Sequence, residues 1–227
     1  MDNIDALCTV LRVLADNGFV YGPGGNASIR LDDKTIAITA SGSSFDSLVR
    51  DNFVKVNLES GECCVSGAPR PSSETSMHLA IYRTHPKVNV VLHTHPTYCI
   101  ALSTVSDELP ILFPDQAALV GKTKVLRYML PTTEQFGRSV AMELVKSNVC
   151  SLILQNHGLV VTGSTVLQAF YRTQIVEQAC KIYLSALSTR EKVRELSQEE
   201  ILEIQNLEAE RYRNQMLTQY KRFWTEV

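Results

Sequence analysis

One stretch limits the possible folds of this chain more than any other: the apolar run NVVLHTHP, residues 89–96, which contains two histidines. Alternate residues of a strand point to the same face, so His93 and His95 should look the same way. Val90 and Leu92 would then occupy the opposite face, where they can bury against a core. The run therefore predicts a strand with one face in a core and two imidazoles on the other.

The rest of the chain supplies short strands and helices in no regular alternation. Apolar spacing predicts a helix over 2–17, and alternating runs joined by a two-Asp turn predict a hairpin over 27–39. A second hairpin is expected in FVKVNLESGECCV, and a strand over 117–128. Helices are expected over 165–187 and from the capping box Ser197–Glu200 onward. Because hairpins mix with helices without a strict βαβ pattern, we expect a layered α/β fold with a largely antiparallel sheet.

Composition narrows the class of protein. A chain of 227 residues with 44% hydrophobic content suits one well-buried domain and is short for two, so a single domain over 1–227 is expected. The 22 Lys and Arg nearly balance the 24 Asp and Glu, which disfavours nucleic acid and membrane as partners. An acidic N-terminus and six cysteines without Cys-x-x-Cys spacing favour a cytoplasmic protein without disulfides.

A third histidine stands in a comparable setting. His157, in LILQNHGLVV, follows a buried apolar run and precedes a glycine at which the chain can turn sharply. Such a histidine could simply be held by a backbone carbonyl, and the earlier pair could be an exposed strand end capped by Pro96. Taken together, however, three imidazoles leave one coordination position open, which is typical of a catalytic zinc site.

The segment RPSSETSMH, residues 70–78, combines hydroxyls with a carboxylate at the expected start of a helix. The hydroxyls of Ser72 and Ser73 could cap that helix or, with its free N–H groups, bind an anion such as phosphate, and both roles can hold at once. Glu74 falls in the first turn, where a carboxylate also favours the helix dipole. His78 is one turn further on the same face, where it could orient that carboxylate or act itself.

Two glycine-bearing loops are further candidates for anion binding. GPGGNASI has the spacing of a dinucleotide fingerprint, but it follows a helix and opens a strand, which is the wrong context. Asn26 and Ser28 in that loop can still offer N–H groups and an amide to an anion. The segment TASGSS, residues 39–44, provides a second loop of this kind.

Five segments in this order resemble the class II aldolase/adducin family over roughly residues 5–185. They are GGNASIR, ITASGSSFDSL, RPSSETSMHLAIYR, VVLHTHPTYCIALS and LILQNHGLVVTG. The resemblance implies a three-layer α/β/α domain with a central, mostly antiparallel sheet, and a homotetramer with sites at subunit interfaces. It implies Zn²⁺, or another divalent cation such as Mn²⁺ or Co²⁺, on His93, His95 and His157. It also implies a catalytic Glu74 and a phosphate pocket at Asn26, Ser41, Gly42, Ser72 and Ser73.

The same resemblance implies a default reaction and leaves other reactions open. The default is a metal-dependent lyase that cleaves a small phosphorylated sugar or sugar acid by retro-aldol chemistry through a zinc-stabilised enediolate. One position departs from the family's fuculose-phosphate aldolases, which have a tyrosine from a neighbouring subunit six residues before the position of Gly121. This chain has Asp115 there, which becomes the second candidate catalytic residue.

Decarboxylation, 4-epimerisation and dehydration are the alternative reactions, because relatives with the same metal site catalyse them. A non-catalytic interaction domain, as in adducin, is a further alternative. The presence of all three histidines and Glu74 disfavours it.

Overall fold

The computed structural model describes residues 3–219. Within them, eight strands form one sheet. The strands are β1 Asn26–Arg30, β2 Thr35–Thr39, β3 Phe53–Asn57, β4 Val90–Thr94, β5 Glu108–Leu109, β6 Thr123–Leu126, β7 Ser151–Leu154 and β8 Gly158–Gly163. The α-helices are α1 Asn3–Asp16, α2 Thr75–Thr84, α3 Thr97–Ser103, α4 Glu134–Ser147, α5 Val166–Leu187, α6 Gln198–Asn206 and α7 Glu208–Gln219.

The histidine-bearing strand β4 lies near the centre of the sheet. The strand order is β3-β2-β1-β4-β8-β7-β6-β5, and every neighbouring pair is antiparallel except β6 and β7. In this register His93 lies opposite Asn26 of β1 on one side and Val160 of β8 on the other. The prediction of a mostly antiparallel sheet is confirmed, and the register places Asn26 beside a histidine.

Helices cover both faces of the sheet, as the predicted three-layer arrangement requires. Val90 and Leu92 of β4 pack in one core with residues of α1 and α5, whereas Val91 packs in a second core with residues of α2 and α4. This alternation follows from the opposite directions of successive strand side chains. Among the helices between residues 3 and 219, none has both the length and the apolar character needed to cross a bilayer.

Two of the predicted strands are wrong in part. The segment expected as a strand over 117–128 begins with a π-helical turn, Gln116–Val120, and only β6 is extended. Short apolar runs do not distinguish helix from strand, and here Gln205 and Asn214 donate hydrogen bonds to carbonyls of the turn. In the second expected hairpin, the strand that should return after β3 is reduced to a single bridge between Val56 and Cys63.

Candidate active site

The histidines of the two apolar runs meet at one end of the sheet. His93 lies in β4, His95 follows that strand, and His157 lies in the turn between β7 and β8. Nε2 of His93 is 3.0 Å from Nε2 of His95 and 3.3 Å from Nε2 of His157. The side chains of His93 and His95 thus point the same way, and the turn adds a third imidazole.

The local sequence explains how the three rings come so close. Asn156, in the turn before His157, adopts a φ of 55°, a left-handed conformation that asparagine tolerates better than most residues. Gly158 follows, and a Cβ at that position would lie 2.7 Å from Cδ2 of His95 and 3.2 Å from Cε1 of His93. Glycine therefore leaves the room that the rings require.

The three imidazoles fit a divalent cation. In a tetrahedral zinc site with Zn–N bonds of about 2.0–2.1 Å, two ligand nitrogens lie about 3.3 Å apart, close to the separations of the Nε2 atoms here. The candidate ligand atoms of the three residues all lie within 4.8 Å of one another. Nδ1 of His93 is 3.1 Å from the carbonyl oxygen of Leu159. Because a carbonyl can only accept, Nδ1 carries the proton and the Nε2 lone pair of His93 is free to bind a metal.

The surroundings of the cluster keep two of its rings uncharged. Burial, followed by the nearby His93 and His157, lowers the pKa of His95 to about 3. Burial and His93 lower the pKa of His157 to about 4. At neutral pH both rings are therefore neutral, which is the form of imidazole that binds a metal.

Glu74 brings a buried carboxylate to the same cluster. The residue stands just before α2, which begins at Thr75, rather than inside its first turn as the sequence suggested. Oε2 of Glu74 is 3.1 Å from Nε2 of His93, and Oε1 is 3.6 Å from Nε2 of His157. Burial raises the pKa of this carboxyl, but the neighbouring His93 and the hydrogen bond from Asn26 outweigh it and hold the pKa well below its usual range. The carboxyl is therefore ionised at neutral pH, the form that can accept a proton.

The two segments that the sequence put forward for anion binding lie side by side. The N–H of Ser41 donates to the carbonyl of Arg70 at 2.8 Å, which ties the loop containing Gly42 to the segment Ser72–Ser73. All five residues predicted for the phosphate pocket line one cavity of about 380 Å³. These residues, which we call the anion pocket, are Asn26, Ser41, Gly42, Ser72 and Ser73.

The anion pocket and the histidine cluster share this cavity. Glu74, His95 and His157 also line it, so a ligand in the pocket would lie beside the imidazoles. None of the described residues that line the cavity is Lys or Arg. An anion would therefore be held by hydroxyls and backbone N–H groups rather than by a cationic side chain.

Two residues of this cavity lie outside the segments that the sequence put forward. Pro131 and Thr132 line it as well, and Thr132 has a φ of 68°, which is uncommon for a β-branched residue. In the sequence, the motif PTT, residues 131–133, indicates only the start of α4, where Thr133 is the N-cap residue. Ser28, suggested for the anion-binding loop, is instead fully buried in β1, with its Oγ 2.6 Å from Nδ1 of His78.

Asp115 is not among the residues that line the cavity. It precedes the π-helical turn Gln116–Val120, its side chain is 54% exposed, and its Oδ1 accepts a hydrogen bond from Nη2 of Arg213 at 2.8 Å. A single chain therefore does not bring Asp115 to the site of Glu74. Its catalytic role stays a prediction that needs a neighbouring subunit.

Known proteins resemble this chain in sequence and fold. The chain matches the Class II Aldolase and Adducin N-terminal domain over residues 5–184. It is 32% identical to an L-fuculose phosphate aldolase of Methanococcus maripaludis, over 76% of this chain and 91% of that protein. It is 29% identical to a 3-oxo-tetronate 4-phosphate decarboxylase of Haemophilus influenzae, over 86% of this chain and 92% of that protein. A solved L-fuculose 1-phosphate aldolase superposes with a TM-score of 0.81 at 27% identity, over 90% of this chain and 94% of that one.

The fold is that of the class II aldolases. The chain belongs to the class II aldolase/adducin family. The aldolases of this family depend on a divalent metal, and His93, His95 and His157 are the residues that could hold it here. Its relatives include both an L-fuculose phosphate aldolase and a 3-oxo-tetronate 4-phosphate decarboxylase, so family membership alone does not identify the reaction.

Proposed function

We propose that this protein is a zinc-dependent lyase that breaks a carbon–carbon bond next to a carbonyl group in a small phosphorylated sugar or sugar acid. The observation that carries this proposal is the position of Glu74. Its buried carboxylate lies 3.1 Å from the first histidine of a three-imidazole cluster and lines the same cavity as the hydroxyls of the anion pocket.

The histidine cluster supports a Lewis acid in this site. A divalent cation on His93, His95 and His157 would draw electron density from the carbonyl and neighbouring hydroxyl oxygens of the substrate and so stabilise the charge left by the broken bond. Three nitrogen ligands with an open fourth position favour zinc, and Mn²⁺ or Co²⁺ are alternatives.

The anion pocket supports a phosphorylated substrate. The hydroxyls of Ser41, Ser72 and Ser73 can donate to a phosphate, as can the N–H groups of Gly42 and Ser73. The N–H groups of Ser41 and Ser72 already donate to the carbonyls of Arg70 and Thr39. The pocket would hold one end of the substrate and place the carbons next to it near Glu74. Positioning of this kind is a large part of the catalytic power available to such a site.

Retro-aldol cleavage is the first candidate reaction. It removes a proton from the hydroxyl beyond the breaking bond, releases an aldehyde, and returns a proton to the carbon that keeps the electron pair. An ionised Glu74 suits the removal of a proton, and Asp115 of a neighbouring subunit is our candidate for the second acid or base. A homotetramer with sites at subunit interfaces is part of this proposal.

Decarboxylation is the second candidate, and one observation favours it. Glu74 is the only carboxylate among the described residues that line the cavity. Loss of CO₂ from a substrate carboxylate removes no proton, and the carbon that keeps the electron pair takes up one. Because Glu74 is ionised, that proton would come from solvent by way of Glu74, so no second acid or base is needed. The similarity to a 3-oxo-tetronate 4-phosphate decarboxylase supports the same reaction.

An activity screen tests the proposed function. The zinc-loaded protein is incubated with phosphorylated ketoses and with phosphorylated 3-oxo sugar acids, and both aldehyde and CO₂ are measured. Aldehyde release from a ketose phosphate would support retro-aldol cleavage, and CO₂ release would support decarboxylation. If the zinc-loaded protein releases neither product from any phosphorylated substrate, the proposed function is wrong.

A further inference from the structure

A row of buried polar side chains leads from Glu74 into the protein, away from the cavity. Nδ2 of Asn26 donates to Oε2 of Glu74 at 2.8 Å, and Oδ1 of Asn26 is 2.6 Å from Nε2 of His78. Behind His78, Oγ of Ser28 is 2.6 Å from its Nδ1 and 2.9 Å from the hydroxyl of Tyr82. All five side chains are buried, and His78 and Ser28 are completely so. We call these five residues the polar row.

The carboxylate sets the direction of every hydrogen bond in the polar row. An ionised Glu74 can only accept, so the amide nitrogen of Asn26 faces it and the amide oxygen faces His78. Nε2 of His78 must then carry the ring proton, which leaves Nδ1 as the acceptor. The hydroxyl of Ser28 donates to that nitrogen and accepts from Tyr82. The Tyr82 hydroxyl also lies 3.4 Å from the carbonyl oxygen of Asn89, a longer contact than its 2.9 Å to Ser28. Reversing one bond of the row therefore disturbs its neighbours.

The far end of the polar row is anchored in the scaffold. The guanidinium of Arg30 lies 4.9 Å from the centre of the Tyr82 ring and donates to the carbonyls of Tyr82 and Val88. Ser28 belongs to β1, whereas His78 and Tyr82 are one turn apart on α2. The row therefore joins the strand that carries Asn26 to the helix that Glu74 precedes.

We propose that His78 is a positioning residue whose Nε2–H fixes the amide of Asn26 and, through it, the Glu74 carboxylate. This inference rests on the proposed role of Glu74 as the acid or base. Asn26 uses its oxygen on His78 and one N–H on Glu74, which leaves its second N–H for a ligand in the cavity. Because Oε2 is held by Asn26, Oε1 is the oxygen left for the substrate; it is buried and has no hydrogen-bond partner within residues 3–219.

The structure offers a matched pair of variants for this proposal. Ser28→Ala removes the donor to Nδ1 of His78, so the ring can adopt the other tautomer and lose its hydrogen bond to Asn26. Ser151→Ala is the control, because Ser151 is equally buried on another strand of the sheet and its hydroxyl pairs with that of Thr123 at 2.7 Å. Both changes remove one buried hydroxyl, and only the first touches the polar row.

Kinetics give the first readout. We expect Ser28→Ala to lower kcat about tenfold, as loss of an outer hydrogen bond to a catalytic group does, with KM and metal content nearly unchanged. Ser151→Ala should lower the melting temperature similarly and keep kcat. In the double variant of His78→Phe and Asn26→Ala, the loss of kcat should be much smaller than the product of the two single losses, because both residues act on Glu74 through the same chain of hydrogen bonds. Equal kcat losses in the two serine variants, or fully multiplying effects, would overturn the proposal.

Ring-nitrogen NMR of histidine-labelled protein gives a readout that does not depend on activity. The signal of His78 is identified by its absence from the His78→Phe spectrum. In the wild type it should report a neutral ring with the proton on Nε2, and in Ser28→Ala a shift towards the proton on Nδ1. A wild-type ring with its proton on Nδ1 would refute the inference. The expected tautomers in a protein that cleaves no substrate would instead refute only the proposed function.

Discussion

Glu74 and Asp115 are the two carboxylates that the sequence put forward for catalysis, and the structure places them in opposite surroundings. Glu74 is 6% exposed and lies among two imidazoles and the amide of Asn26. Asp115 is half-exposed and pairs with Arg213 of α7. The first carboxylate is held by groups from β1, β4 and the β7–β8 turn, and the second by one side chain, Arg213, which also pairs with Glu210.

The difference shows what a catalytic carboxylate needs from its own chain. A buried carboxylate must be compensated by neighbours, and the neighbours of Glu74 also fix its direction. An exposed ion pair such as that of Asp115 and Arg213 contributes about 0–1 kcal/mol to stability and constrains geometry weakly. One chain therefore supplies every group that holds Glu74 in place, whereas Asp115 can reach a site only by contact with another subunit.

The largest expected effect comes from loss of the metal. His157→Ala removes one of three ligands, and we expect turnover to fall roughly a thousandfold or more, since a bound metal supplies several kcal/mol of transition-state stabilisation. Zinc content, measured by elemental analysis, should fall with it. His85→Ala, at the end of α2 and outside the cluster, is the control that should keep both. Wild-type zinc content in His157→Ala would contradict the metal site.

Glu74→Gln should have the next largest effect. It keeps the size of the side chain but removes the proton acceptor, so turnover should fall about a hundredfold or more while zinc stays bound. Glu177→Gln is the matched control, because Glu177 accepts hydrogen bonds from the backbone N–H groups of Tyr98 and Cys99 and does not line the cavity. If Glu74→Gln only lowers the melting temperature and turnover per folded molecule holds, Glu74 is structural.

Asp115→Asn tests the exposed carboxylate and its proposed role in a neighbouring subunit. If Asp115 serves a neighbouring subunit in retro-aldol cleavage, turnover should fall about tenfold or more, whereas the loss of the Arg213 pair should cost at most about 1 kcal/mol of stability. Mixing this variant with Glu74→Gln should restore activity, because some interfaces then combine one intact residue from each chain. Mixed assemblies that form and regain nothing would exclude the shared site.

Ser73→Ala should have the smallest effect, and one specific to the phosphate. A single hydrogen bond to a charged group is worth about 1.5–3 kcal/mol, so the KM of a phosphorylated substrate should rise about tenfold or more relative to that of its unphosphorylated analogue. The unphosphorylated analogue serves as the internal control. An unchanged ratio of the two constants would place the phosphate pocket elsewhere.

The sequence predicts local features of this fold well, for a physical reason. The apolar alternation around His93 and the capping box at Ser197–Glu200 depend on near neighbours, and β4 and α6 lie where expected. The turn Gln116–Val120 was misassigned because its conformation depends on hydrogen bonds from α6 and α7, distant in sequence. The spacing of apolar residues along the chain does not reveal such long-range contacts.

The same distinction between local features and long-range contacts applies to the candidate site. His93 and His95 are related by strand geometry alone, and sequence spacing predicts that they share a face. The contribution of Thr132 to the cavity and the link between Ser28 and His78 arise only when β1, α2 and the loop before α4 pack together. The resemblance to a family supplied roles for single residues, but it did not supply the hydrogen bonds that support them.

The most direct test of the central claim is anomalous X-ray diffraction from crystals of protein purified without chelator, with data collected on both sides of the zinc absorption edge. We predict one peak per chain at about 2.0–2.1 Å from Nε2 of His93, His95 and His157, with Glu74 adjacent to it. Crystals of active protein that show no zinc peak between these three nitrogens, or that show one at another site, would contradict it.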